Sequence, residues 1–104
     1  MIILKGTSFH QTTINELTNW SLGTLRLEPD NMYDPEACAV DVGDKTVGYL
    51  PKGWNIEHYG EDLLTHIKNK GLVSLRKVGG YTMKGGRTAF EGLRLITHSD
   101  LLEV

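Results

Sequence analysis

The residues able to do chemistry gather in one part of the chain. Leu27-Glu28-Pro29-Asp30-Asn31-Met32-Tyr33-Asp34-Pro35-Glu36 sets carboxylates and an aromatic ring on a corner stiffened by two prolines. Ala37-Cys38-Ala39-Val40-Asp41-Val42 follows, and then Val47-Gly48-Tyr49-Leu50-Pro51-Lys52. The pattern is a strand that runs into an acidic, aromatic corner and on into a tight hairpin. A calcium loop is excluded for Asp30, Met32 and Asp34, because a thioether at the middle position does not ligate a hard cation. Cys38 lacks a nearby His in a nucleophile signature. The glycine-rich stretch Gly79–Gly86, with Lys84 and nearby Arg87, lacks the Lys-Ser/Thr of a phosphate loop and reads as a hairpin. His58, Asp62 and His66 stand four residues apart, which on a helix puts them on one face able to hold a metal. The alternative for that trio is a polar stripe opposite Ile56, Leu63 and Ile67. No cofactor signature is present, so no cofactor is expected.

A chain of 104 residues makes one domain with one modest core. Its apolar and charged fractions, 39% and 23%, are those of a globular protein. No apolar run reaches the roughly 18 residues of a membrane span, and no signal peptide opens the sequence. With a single cysteine an internal disulfide is impossible, so Cys38 reads as a small core residue and the expected setting is cytoplasmic. The net charge of −2 hides an asymmetry: residues 1–64 carry 4 basic and 10 acidic side chains, residues 65–104 carry 7 and 3. Bulk charge does not mark a nucleic-acid binder, but a local basic stripe is compatible with these numbers.

The elements that must position these groups are mostly strands. Met1–Leu4 is an apolar opening strand, and 13–19 a short helical turn with Leu17 and Trp20 facing inward. Leu25 and Leu27 alternate with Thr24, Arg26 and Glu28, as in a half-buried strand. Cys38, Val40 and Val42 alternate likewise, Gly43-Asp44-Lys45 supplies a turn, and Thr46–Leu50 returns. Over 55–69 the apolar period changes to three and four residues, which predicts a helix capped by Asn55 and stopped by Gly71, with Gly60 as an alternative start. Leu72–Val78 and Ala89–Thr97 are further strands, and Ser99–Val104 reads as a short helical tail. About six antiparallel strands and one inserted helix predict a mainly β fold, a small OB-like or SH3-like barrel, because closure removes exposed edges.

Gly6-Thr7-Ser8-Phe9-His10, the block Leu27–Ala37 and Val47-Gly48-Tyr49-Leu50-Pro51-Lys52 together resemble the HIRAN domain family. Val78-Gly79-Gly80 and Glu91-Gly92-Leu93-Arg94-Leu95 are similar to its closing hairpin, so the resemblance covers nearly the whole chain in order. It implies a modified OB-like barrel. Such domains occur fused to helicase-like and nuclease modules, and also alone in bacteria and phages. The best understood member, in a fork-remodelling DNA translocase, grips the 3′ end of single-stranded DNA. There, two aromatic residues stack the terminal bases and an aspartate takes the 3′-hydroxyl.

Carried onto this chain, the resemblance implies Phe9 and Tyr33 as the stacking pair and Asp34 as the aspartate. Tyr49 and Lys52 fall where the strand backbone is contacted, and His10 at a further aromatic, polar position. Ser8 replaces an arginine, which removes one charge-assisted phosphate contact. The implied physics is coherent: stacking is sequence-tolerant and worth about 1–3 kcal/mol per base. A carboxylate accepts a hydrogen bond from a terminal hydroxyl and repels a phosphodiester. The expected partner is therefore a single-stranded DNA 3′ end, with any catalysis supplied by a helicase or nuclease. Structural alternatives stand beside each residue: Asp34 capping a turn before Pro35, Tyr33 in the barrel rim, Phe9 packed under 13–19, Tyr49 pointing inward. A second expectation for the whole chain is a protein-interaction or self-assembling barrel using strand edges or the Trp20/Trp54 surface. A third is a metal-dependent hydrolase built on His58, Asp62 and His66.

Overall fold

The computed structural model describes residues 2–55, 57–58, 61–79 and 91–96. Its centre is the strand β2 (Trp20–Leu27), whose inward positions, Gly23 and Leu25, are buried while Leu22, Thr24 and Arg26 face out. β2 pairs on one side with β3 (Cys38–Val42) and on the other with β7 (Leu72–Gly79). β3 turns back into β4 (Lys45–Tyr49) through Gly43 and Asp44, with Val42 opposite Lys45. Gly43 takes a φ of 63°, the left-handed value that so tight a hairpin demands. β7 pairs with β8 (Glu91–Ile96), and β8 with β1 (Ile2–Ile3).

The result is a six-stranded antiparallel sheet in the order β1-β8-β7-β2-β3-β4, curled into a half-barrel. Its two edges meet at one bridge, where Lys5 N–H donates to Tyr49 O at 2.7 Å and Tyr49 N–H donates to Lys5 O at 2.8 Å. The mainly β, barrel-like architecture expected from the alternating patterns is therefore present. Inside the curl, Val40, Val47, Val73, Leu75, Leu93 and Leu95 are almost wholly removed from water. Each such side chain contributes about 1.5–3 kcal/mol of burial. Cys38 belongs to this core, as expected, and burial pushes its thiol up to about 11.

Two short helices plug the open parts of the curl. A 3-10 turn (Thr7–His10) leads directly into α1 (Gln11–Glu16), which sends Ile14 into the core. The expected helical turn at 13–19 thus begins earlier and ends at Glu16. Leu17 packs against the core as predicted, but Trp20 does not turn inward: it opens β2 on the outer face, beneath the Arg76 guanidinium.

The predicted helix over 55–69 is the larger departure. Only α2 (Leu63–Lys68) is helical, and it is preceded by a two-stranded ribbon of β5 (Glu57–His58) and β6 (Glu61–Asp62). Gly60 costs a helix about 1 kcal/mol relative to Ala, and here His58 pairs with Glu61 and Glu57 with Asp62 instead. Asp62 is the N-cap, accepting from Thr65 N–H at 2.8 Å. Asn55 still accepts a helix N–H, that of Leu64 at 2.9 Å, from outside the helix. At the other end the left-handed residue is Lys70, φ 55°, rather than Gly71. Gly71 is needed for space, since a Cβ there would collide with the His66 ring. The expected hairpin loop after Gly79 and the tail from Ser99 lie outside the described residues. Among those described, no helix is long and apolar enough to cross a membrane.

Candidate nucleic-acid interface

The acidic corner between β2 and β3 is built by Asn31. Its Oδ1 accepts from the N–H groups of Tyr33, at 2.9 Å, and Asp34, at 3.0 Å, an Asx turn that folds the chain back. Asn31 Nδ2 donates to Glu28 Oε1 at 3.1 Å, tying the turn to the end of the sheet. Glu28 N–H donates to Ala37 O and Ala37 N–H to Asp34 O, each at 3.0 Å, so the corner is closed at its base. Asp34 Oδ1 accepts from Glu36 N–H at 2.9 Å, the turn-capping role expected of Asp before Pro; Oδ2 stands outside that turn. Trp54 Nε1–H donates to Glu36 O at 3.1 Å and fastens the segment after β4 to the same corner.

With its backbone held in this way, the corner lifts two side chains into solvent. Tyr33 is 99% exposed and Met32 is 95% exposed. Tyr33 is therefore no part of a barrel rim, and its ring face is available to a ligand. Phe9 is likewise 86% exposed and is not packed under α1. Large apolar groups left this open are the informative exception on a small protein's surface.

Tyr33, Asp34, Tyr49 and Lys52 line one cleft of about 570 Å³, together with Lys5, Asn31 and Leu50. Four of the six residues singled out in the sequence thus meet there. Phe9 and His10 do not line it; they lie on the 3-10 turn that packs against β4, the strand carrying Tyr49. That turn is held from both sides. Gly48 leaves room for it, since a Cβ there would stand 3.0 Å from Lys5 O and 3.2 Å from the Thr7 methyl. Gln11 Nε2–H donates to Thr7 O at 2.9 Å and to Glu91 O at 2.8 Å, while Gln11 Oε1 accepts from Glu91 N–H at 2.9 Å.

An ionic network reaches Tyr49 from outside the cleft's own lining. Tyr49 does not point into the core; its hydroxyl is hydrogen-bonded to the Glu28 carboxylate. Burial pushes the Tyr49 phenol above its ordinary value, and the bond to Glu28 adds to the shift. For Glu28, burial acts upward, but hydrogen bonds from Asn31, Tyr49 and Arg26 outweigh it and hold the carboxyl below its usual range. Arg26 donates from Nη1 to Glu28 Oε2 at 2.9 Å and from Nε to Asp41 Oδ2 at 3.0 Å. Its bonds to Asp41 first and Glu28 second hold the guanidinium firmly charged. Thr46 Oγ1–H closes the network on Asp41 Oδ1 at 2.8 Å. The register of β3 against β4 shifts between Val40 and Asp41, where β4 carries the extra residue Val47, beside this network.

Lys5, Glu28 and Asn31 were not singled out in the sequence. Asn31 had a readable signal, an Asx residue two positions after Pro29 in a corner. Lys5 had none, because its place depends on a bridge between residues 44 positions apart.

The three-residue metal hypothesis loses its geometric premise. His58 lies in β5 rather than on α2, Asp62 caps the helix, and the His66 ring is hydrogen-bonded to Leu72 O at 2.8 Å. Among the described residues no group of three His, Cys, Asp or Glu side chains could hold a metal ion.

No family model matches the chain, and neither a curated protein nor a solved structure does.

Proposed function

We propose that the chain is a non-catalytic HIRAN-type module that binds single-stranded DNA at a free 3′-hydroxyl end. The observation that carries this reading is the pairing of a fully exposed ring, Tyr33, with the carboxylate of its neighbour Asp34 in one cleft that also holds Tyr49, Lys5 and Lys52. A base stacks on Tyr33 without being read. The terminal hydroxyl donates to Asp34, and the two lysines take phosphates further back along the strand. Phe9, on the turn beside the cleft, supplies a second ring, with His10 next to it. An internal strand segment would bring a phosphodiester against Asp34 and be repelled, so the carboxylate discriminates by charge. Ser8 offers no cation, and Lys5 supplies charge at the same edge in its place. Strand processing would then come from a helicase or nuclease partner in DNA repair or phage DNA metabolism.

Fluorescence anisotropy at low salt tests the reading. A short labelled strand ending in a 3′-hydroxyl should bind more tightly than the same strand ending in a 3′-phosphate. Asp34→Ala should erase that preference while leaving binding in place. Equal binding of the two strands by the wild type, or none, defeats the proposal.

A further inference from the structure

Apart from Phe9 on its 3-10 turn, the most exposed large apolar side chains among the described residues stand toward opposite ends of β2. At its start, Trp20, Leu22 and Leu72 stand on the outer sheet face, 52%, 61% and 57% exposed. The row through Trp20 runs across the sheet to Arg76, Arg94 and Ile3, each directly opposite the next. Its only charged members are the two arginines, and the Arg76 guanidinium lies 5.1 Å above the Trp20 ring. Stacked there, a guanidinium keeps its in-plane N–H donors directed outward, toward an acceptor. Beyond the other end of β2 stands the corner of Met32 and Tyr33. Residues 28–36 carry Glu28, Asp30, Asp34 and Glu36 and no basic residue.

Each patch therefore has what the other lacks: a half-exposed apolar platform edged by arginine, and a projecting apolar tip edged by carboxylates. They cannot meet within one molecule. β2 has eight residues, so its two ends stand about 23 Å apart along the strand at ~3.3 Å per residue, with the corner beyond one of them. We infer that a second copy of this chain seats its Met32/Tyr33 corner on the Trp20–Leu22–Leu72 face, with Asp30 and Glu36 set against Arg76. The contact is head-to-tail. It uses different surfaces on the two partners, so it leaves one free patch of each kind and propagates into an open chain or a closed ring. The inference does not rest on the nucleic-acid reading, but the two share the Tyr33 ring, so one corner makes either contact at a time.

Sedimentation velocity on the intact protein, from micromolar to millimolar and at low and high salt, is the test. The mean mass should climb above the monomer's 11.6 kDa with concentration and fall back with salt. Arg76→Glu, and separately the pair Asp30→Lys with Glu36→Lys, should each weaken association by about tenfold or more. Mixed, the two variants should associate again, because the unchanged corner of one fits the unchanged face of the other and the two reversed surfaces also carry opposite charges. Circular dichroism checks that both fold; if either does not, Trp20→Ser and Met32→Lys replace them in the same mixing experiment. A wild type that stays monomeric throughout overturns the inference, as does a mixture that fails to pair. A monomeric wild type in which Arg76→Glu weakens single-strand binding would assign the face to nucleic acid instead.

Discussion

Lys5 and Tyr49 exchange both of their backbone hydrogen bonds, and that one pair joins the two outer edges of the sheet. The same two residues line the cleft, so closure of the curl and assembly of the site are one event. The backbone and the side chain of Lys5 can be tested apart. Lys5→Pro removes the N–H that Tyr49 O accepts, and urea unfolding should show a loss of about 1–3 kcal/mol. Lys5→Ala keeps the bridge and should change stability by less than about 0.5 kcal/mol. On a single strand, however, Lys5→Ala should reduce the slope of log affinity against log salt by about 0.7, the share of one phosphate contact.

Tyr33 offers the opposite separation. A ring that is 99% exposed contributes almost nothing to the core, so Tyr33→Ala should leave the unfolding midpoint nearly unchanged. If the ring stacks a base, the same substitution should weaken single-strand binding by about 1–3 kcal/mol, and Tyr33→Phe should restore it. A stability loss with unchanged binding would mark Tyr33 as structural. Anisotropy and denaturant titration on the three proteins decide the matter.

The strands were legible because their apolar alternation is local: Leu25, the Cys38–Val40–Val42 series and the Gly43-Asp44 turn each announce themselves within a few residues. The stretch 55–69 was misread because Ile56, Leu63 and Ile67 fit a helical period that spans both a ribbon and a helix. The pairing of β5 with β6 across residues 59 and 60 outcompeted that weak helical preference. Trp20 was assigned inward by its hydrophobicity alone; its parity on β2, opposite Arg76, sends it out. Tyr33, Asp34, Tyr49 and Lys52 were singled out through motif order, and the fold brings these four to one cleft. Lys5, Glu28 and Gln11 were not found, because their partners lie elsewhere in the chain: Tyr49 for Lys5 and Glu28, Glu91 for Gln11. Long-range pairing is the information that a linear pattern of residue types does not carry.

The Glu28 carboxylate gives the site a pH signature. In the unfolded chain it titrates near its ordinary value of 4.5, and in the fold its donors Asn31, Tyr49 and Arg26 hold it lower despite burial. A depressed carboxyl contributes stability that is fully present above the unfolded value and is lost as pH falls through the folded one. Wild-type melting temperature should therefore drop as the solution is acidified below 4.5. Glu28→Gln should melt lower than wild type at neutral pH, and the gap should narrow on acidification. The same substitution removes the negative charge that helps keep the Tyr49 proton in place. An ultraviolet titration, taken as a difference against Tyr49→Phe, should then show Tyr49 ionising at lower pH in Glu28→Gln than in wild type, though still above its usual value because burial remains. A gap in melting temperature that stays constant with pH would show that the Glu28 carboxylate is not coupled to folding, and an unshifted Tyr49 titration in Glu28→Gln would show that Glu28 does not hold the Tyr49 proton.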